Sequence, residues 1–196
     1  MDSWSRISSG VLVTAMICGG VGSAYGAAPQ HSTHRLTVAV YDYAGIEPAT
    51  LAYAKQIAGD VYLRAGIEIV WVDPDVFEDA GSLHINLLSR EITATSSISR
   101  DTVGFATPGS FAANAIYDRI REVAHDYHLP CGVMLGYVMA HELGHLLLPA
   151  HSHSESGVMR ANLDVQLAAE KKLGFTSDQS ALILERLMVR PVVSTH

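Results

Sequence analysis

Apolar positions in this chain follow two different periods. Residues 36–44, LTVAVYDYA, are almost continuously apolar and rich in β-formers, the pattern of a buried strand. Residues 47–66 change to apolar spacings of three and four, which predicts a helix. Pro48 suits its first position and Gly66 its stop. Residues 67–73, IEIVWVD, alternate and predict a second strand, and residues 82–89 predict a third. The order strand, helix, strand makes the first two strands parallel through a helical crossover.

Residues 92–114 are rich in Ser, Thr, Ala and Gly and have no helical period. Within 103–120 the pattern predicts two short extended pieces around Pro108–Gly109. One is a candidate edge strand, whose free N–H and C=O groups can receive an extended peptide; a plain loop or hairpin fits as well. A helical stretch starts at Arg121 and breaks at Pro130. Residues 131–148 then read as a long apolar helix that ends at Pro149. A Ser/His/Gly loop follows, then a segment at 163–173. A capped helix spans 176–189, with Thr176 or Ser177 as N-cap. Internal repeats are absent, and nothing marks a second domain.

Composition narrows the class. The chain has 196 residues, 48% hydrophobic and 17% charged, enough for one globular domain with a real core. Its net charge is −7, with no basic run, which excludes binding to a phosphate backbone. Residues 1–28 read as a secretory signal, with Arg6 in a weakly basic start, an apolar stretch at 10–22 and small residues at 23–28. That leaves 29–196 as a single secreted or periplasmic domain without a stable membrane span, expected to be a monomer. After cleavage Cys131 is the one cysteine left, so no internal disulfide can form; it reads as a buried apolar thiol.

The chemistry concentrates in MAHELGHLLLPAHSHSESGVMR, residues 139–160. Four of the chain's ten histidines fall within thirteen residues here. His141 and His145 stand four apart on the apolar helix, about 40° apart around its axis, so both imidazoles can reach one ion. Glu142 is displaced around the helix, in the position of a general base beside a Lewis acid. Three titratable groups on an otherwise apolar helix are costly to bury unpaired, and a metal resolves that cost. A catalytic zinc keeps three protein ligands, so a third is expected downstream.

Here the sequence resembles the metzincin clan of zinc metallopeptidases, whose motif is H-E-x-x-H-x-x-G-x-x-H followed by a methionine-containing turn beneath the metal. His141, Glu142 and His145 match it, His151 stands at the third-histidine spacing, and SGVMR at 156–160 looks like the turn, with Met159 as its methionine. The motif's glycine falls at 148, where this chain has Leu148. A bulky residue there disfavours a left-handed helix exit, and Pro149 pushes Leu148 toward extended geometry. A longer exit carries His151 past the metal and favours His153. The stretch also resembles secreted bacterial metzincin-like proteins with HELGHLLL, then HS and GIMR, in which HS aligns with His153–Ser154. Plain motif spacing favours His151; exit geometry and the nearer resemblance favour His153. The reading takes His153 and keeps His151 as the alternative. Glu170, on a later segment, is a weaker alternative ligand.

The resemblance implies a secreted zinc-dependent metalloendopeptidase acting on a peptide or protein substrate, with Zn2+ on His141, His145 and the third histidine, and Glu142 as general base. Two other readings stay open: a zinc module that no longer cleaves, closed by both later histidines, and a zinc hydrolase of a non-peptide amide. His84, His125 and His128 read as structural or surface residues, and Tyr127 and Tyr137 as packing. The expected class is α/β (α+β). A small twisted mixed sheet would carry a crossover helix, the metal-site helix, the methionine turn and a C-terminal helix.

Overall fold

A computed structural model describes residues 34–74, 82–93, 98–99, 101–106 and 110–189. The signal segment 1–28 and the Pro108–Gly109 turn lie outside the described residues. β1 (His34–Asp42) leads through α1 (Pro48–Leu63) into β2 (Ile67–Val72), and β3 (Leu83–Leu88) follows. A short α2 (Arg90–Thr93) precedes β4 (Gly104–Ala106) and β5 (Ala112–Ile116). The described chain closes with α3 (Tyr117–Asp126), α4 (Cys131–Leu147), α5 (Val165–Ala169) and α6 (Ser177–Val189). The five strands form one mixed sheet in the order β2-β1-β3-β5-β4. β1 pairs in parallel with β2 and β3, β3 pairs in parallel with β5, and β4 runs antiparallel along the edge. The architecture is the expected α/β class, and the crossover between the first two strands is α1.

Local chemistry explains most of these boundaries. The Glu47 carboxylate accepts from the N–H groups of Ala49 and Thr50, and Pro48 opens α1 behind it. Gly66, at φ +80°, turns the chain from α1 into β2. Thr176 caps α6: its hydroxyl accepts from Gln179 N–H while Gln179 Oε1 accepts from Thr176 N–H.

Three boundaries differ from the sequence expectation. β1 begins at His34, two residues before the apolar run, where Arg35 pairs with Glu68 on the neighbouring strand. α3 begins at Tyr117 rather than Arg121. No turn residue separates it from β5, so the strand runs straight into the helix at Ile116, whose N–H donates to Val103 O, and Ile120 enters the core. α2 carried no periodic signal; Arg90 N–H donates to Asp118 at its start.

α1 and α4 pack on the sheet, α1 against β2 and α4 against β3, β5 and β4. Strand alternation sends Val38 and Val40, Ile85 and Leu87, and Ala113 and Ala115 into the core. These inward residues shrink toward the β4 edge. Leu87 pairs with Ala115, and Ala115 pairs with Gly104. The helices themselves touch through small residues, Gly132, Gly136 and Ala140, which recur every four positions on α4. A Cβ at Gly136 would lie 2.6 Å from Ile57 Cβ and 2.7 Å from Ala54 O of α1. The buried Tyr62 hydroxyl of α1 donates to Ala140 O at 3.2 Å. No described helix is long and apolar enough to cross a membrane.

This contact gives two glycine substitutions opposite signs. Gly136→Ala forces a backbone carbonyl and a β-branched side chain to move, and is expected to lower unfolding free energy by about 1–2 kcal/mol after its gain in helix propensity. Gly59→Ala in α1 meets nothing within 4 Å among the described residues and is expected to raise stability by about 0.5–1 kcal/mol. Urea denaturation of the two variants checks both. Destabilisation by Gly59→Ala, or none by Gly136→Ala, contradicts the packing described.

Candidate metal centre

The second half of α4 carries His141 and Glu142 into the interior, 8% and 5% exposed, with His145 half-buried one turn later. Beyond the helix, Leu148 is extended (φ −96°, ψ 160°), as Pro149 requires. The chain then turns back at His151, which has φ +60°. The left-handed residue of this exit is therefore at 151 and not at 148. His151 occupies the turn, and the next side chains along the loop return to the helix.

One ring nitrogen from each of His141, His145 and His153 lies within 4.8 Å of the others, a spacing that can hold a metal ion. The ring centroids are 4.7 Å apart for His141 and His145, 5.3 Å for His141 and His153, and 4.8 Å for His145 and His153. His151 is exposed and is not part of this group. Glu170 is not part of it either; it pairs with Lys172.

Hydrogen bonds aim the two helix histidines. His141 Nδ1 lies 2.7 Å from Val158 O, an acceptor only, so Nδ1 carries the proton and Nε2 presents a lone pair. His145 Nδ1 is 3.2 Å from Ser152 Oγ. The two Nε2 atoms face each other at 3.0 Å. With Ser152 accepting from His145, two lone pairs converge on one point, an arrangement that a shared cation satisfies.

Glu142 has no such support. Among the described residues its Oε2 is buried without a hydrogen-bond partner. Gly104 of β4 lies against it, so that a Cβ there would stand 2.6 Å from Oε1. Burial pushes the Glu142 carboxyl up to about 8. Burial also lowers His141, against the Val158 hydrogen bond that raises it. It lowers His145 to about 4, with the charges of His141 and His153 adding to the effect. Every shift disfavours the charged form, and burial is the largest cause of each.

Met159 is fully buried below this helix, and its Sδ occupies the space a Cβ on Gly144 would need, 2.5 Å away. Gly157, at φ +80°, lets the chain turn there, and Val158 N–H donates to Gly174 O at 2.8 Å. Ser154 N–H donates to Met159 O at 3.0 Å and ties the histidine loop to the same turn.

Sequence reasoning missed Gly104, Ser152 and Gln179 as parts of the site, and the Val158 carbonyl of the predicted turn as the partner of His141. Only Gln179 left a readable signal, the Thr176-x-x-Gln179 cap. The other expectations are mixed. Tyr137 is in the core, but Tyr127 is 60% exposed because α3 ends beside it. Cys131 is half-buried rather than buried, at the far end of α4 from the histidines, where Tyr117 touches it. His84 lies tilted against Tyr41, ring centroids 5.5 Å apart, and His125 and His128 are exposed.

No protein-family model matches the sequence, and no curated protein matches it. Among solved structures, archaemetzincin from Methanopyrus kandleri is similar, with a TM-score of 0.52 over 82% of this chain and 98% of its own. Sequence identity is 15%, so the likeness is one of fold. A Thermotoga maritima protein known from a solution structure aligns over 82% of this chain and 97% of its own at 13% identity; its TM-score of 0.37 is too low to bear on the fold. The chain has an archaemetzincin-like fold with three histidines placed to hold a metal ion.

Proposed function

We propose that this chain is a secreted zinc-dependent metalloendopeptidase, with His141, His145 and His153 holding the ion and Glu142 acting as general base. The observation that carries the reading is the convergence of three imidazoles beside a buried carboxylate oxygen that has no partner among the described residues. The residues fit the ion: three neutral nitrogen donors suit zinc, and the lone pairs of His141 and His145 otherwise confront each other. Zinc supplies Lewis acidity when bound, polarising a carbonyl and acidifying water near neutral pH.

The chain's own residues supply the rest. Glu142 Oε2 takes a proton from the attacking water and returns it to the leaving amine. The Val158 carbonyl holds His141 in the tautomer that donates through Nε2. The turn at 156–160 acts as the methionine turn, with Met159 as an apolar floor under α4. β4, at the sheet edge beside Glu142, offers backbone groups to an extended peptide. A closed structural site needs a fourth ligand; the cluster among the described residues holds three histidines, which favours catalysis over a non-cleaving module.

Three outcomes follow from this reading. Glu142→Gln is expected to keep one equivalent of zinc and to lower kcat/KM on a quenched peptide library by about 10²–10⁴-fold. Zinc-loaded parent protein that cleaves no peptide contradicts the reading. Gly104→Ala drives a methyl group into the Glu142 carboxylate and is expected to lower the same rate by up to about 10²-fold with zinc retained. Unchanged cleavage would place the working carboxylate elsewhere.

The third outcome concerns the zinc-stripped protein. Its Glu142 carboxyl, at about 8 rather than 4.5, keeps a proton that the unfolded chain releases, so stability falls as pH rises between those values. The lowered His141 and His145 act with the opposite sign, but their contribution is complete above the ordinary 6.5. Of these groups only Glu142 acts between pH 6.5 and 8, lowering stability by about 2 kcal/mol. Glu142→Gln should abolish the fall in thermal midpoint over that interval. A parent midpoint that rises instead contradicts the burial of an ionisable Glu142.

A further inference from the structure

We propose that Gln179 of α6 is the positioning residue for His153, bracing from outside the loop that carries the third histidine to the pair on α4. The inference rests on the three-histidine reading above. The loop from Leu148 to Met159 has no helix or strand of its own, and His153 on it is exposed. His141 and His145 are held by their helix; His153 has no such scaffold.

Gln179 is 8% exposed, and its amide is fully engaged. Oε1 accepts from Thr176 N–H at 3.0 Å. Nε2 donates to Ser152 O at 3.2 Å and to Ser154 Oγ at 3.1 Å. Partner chemistry fixes the orientation of this amide, because Thr176 N–H can only donate and Ser152 O can only accept. The two Nε2 bonds therefore land on the residues immediately before and after His153. Both are tied onward: Ser152 Oγ meets His145 Nδ1, and Ser154 donates through its N–H to Met159 O and through its hydroxyl to Ser156 O. One buried side chain thus holds the backbone carbonyl before the exposed histidine and the side-chain hydroxyl after it, and links both to a second histidine and to the turn beneath.

Helix capping does not account for this residue. A cap at this position needs only an acceptor, and a glutamate would serve it equally. The two donors of Nε2 are spent on the histidine loop, and a glutamine is what supplies them. Groups outside the metal-binding set that orient a ligand commonly change metal affinity by about 10–100-fold when removed.

The test uses full-length protein in two measurements. Zinc affinity is read by competition with a chromophoric chelator, and coordination by the visible absorption of the Co2+-substituted protein. Both are taken below the thermal midpoint of every variant. Gln179→Ala is expected to weaken zinc by about tenfold or more and to shift the Co2+ bands. Thr176→Ala removes the capping hydroxyl while leaving the Nε2 bonds; it is expected to lower the thermal midpoint and leave zinc affinity at the parent value. Equal losses of affinity in the two variants, or none in Gln179→Ala, overturn the proposal. His153→Ala in the same titration separates the two levels of inference. Weak binding there with tight binding in Gln179→Ala removes only the brace, whereas tight binding in His153→Ala removes the three-histidine site on which it rests.

Discussion

α4 lies against α1 with glycine or alanine at every fourth position, and that closeness limits where every other part of the molecule can go. Gly136 leaves no room for a methyl group beside Ile57 and Ala54, and Tyr62 crosses the interface to bond Ala140 O. The sheet meets the same helix with residues that diminish toward the edge, Leu87, Ala115 and then Gly104. Pressed from both sides, α4 brings its last two turns against β4. Gly144, the last small residue of the series, admits Met159 from below. α4 is thus closely approached at Gly132, Gly136 and Gly144, and the two histidines stand on either side of the last of these.

That closeness has an electrostatic consequence. His141 and Glu142 are nearly without solvent, and their environment opposes charge on either. In a softer site the carboxylate would swing toward water. Here it lies directly against Gly104, with Oε2 unsatisfied among the described residues. Unsatisfied buried polar groups in an otherwise well-bonded interior are the usual places where a fold gives up stability for function.

Much of this was legible in the sequence, for identifiable reasons. Helix periodicity alone puts His141, Glu142 and His145 on adjacent faces of α4, and the alternation of 67–73 with the helix before it gives the parallel crossover. The clash of Pro149 with its predecessor predicted the extended Leu148 that the structure has. The parts that were not legible are contacts between distant segments. Nothing in Gly104's neighbours says that it faces a carboxylate thirty-eight positions later, because only the strand register and the taper of the sheet put it there. The start of α3 was missed for a different reason: Ile116 is a good strand former, and the strand ends at it without any turn residue to mark the change. The glycine and alanine series on α4 was visible at its four-residue spacing, yet its meaning depended on knowing that α1 lies across it.

The positive φ of His151 carries a lesson about patterns. A motif written with fixed spacing records two things at once: the identities of the residues that meet, and the path of the chain between them. Here Leu148 is extended, the reversal of direction comes at His151, and the histidine that meets His141 and His145 is His153. A template that counts positions from His145 scores this chain as a near miss and selects the residue in the bend. Counting back from Met159 instead starts at the fixed end of the loop, since that methionine is locked into the helix above it. Alignments of divergent sequences of this kind are better anchored at their immobile points than at their first recognisable letters.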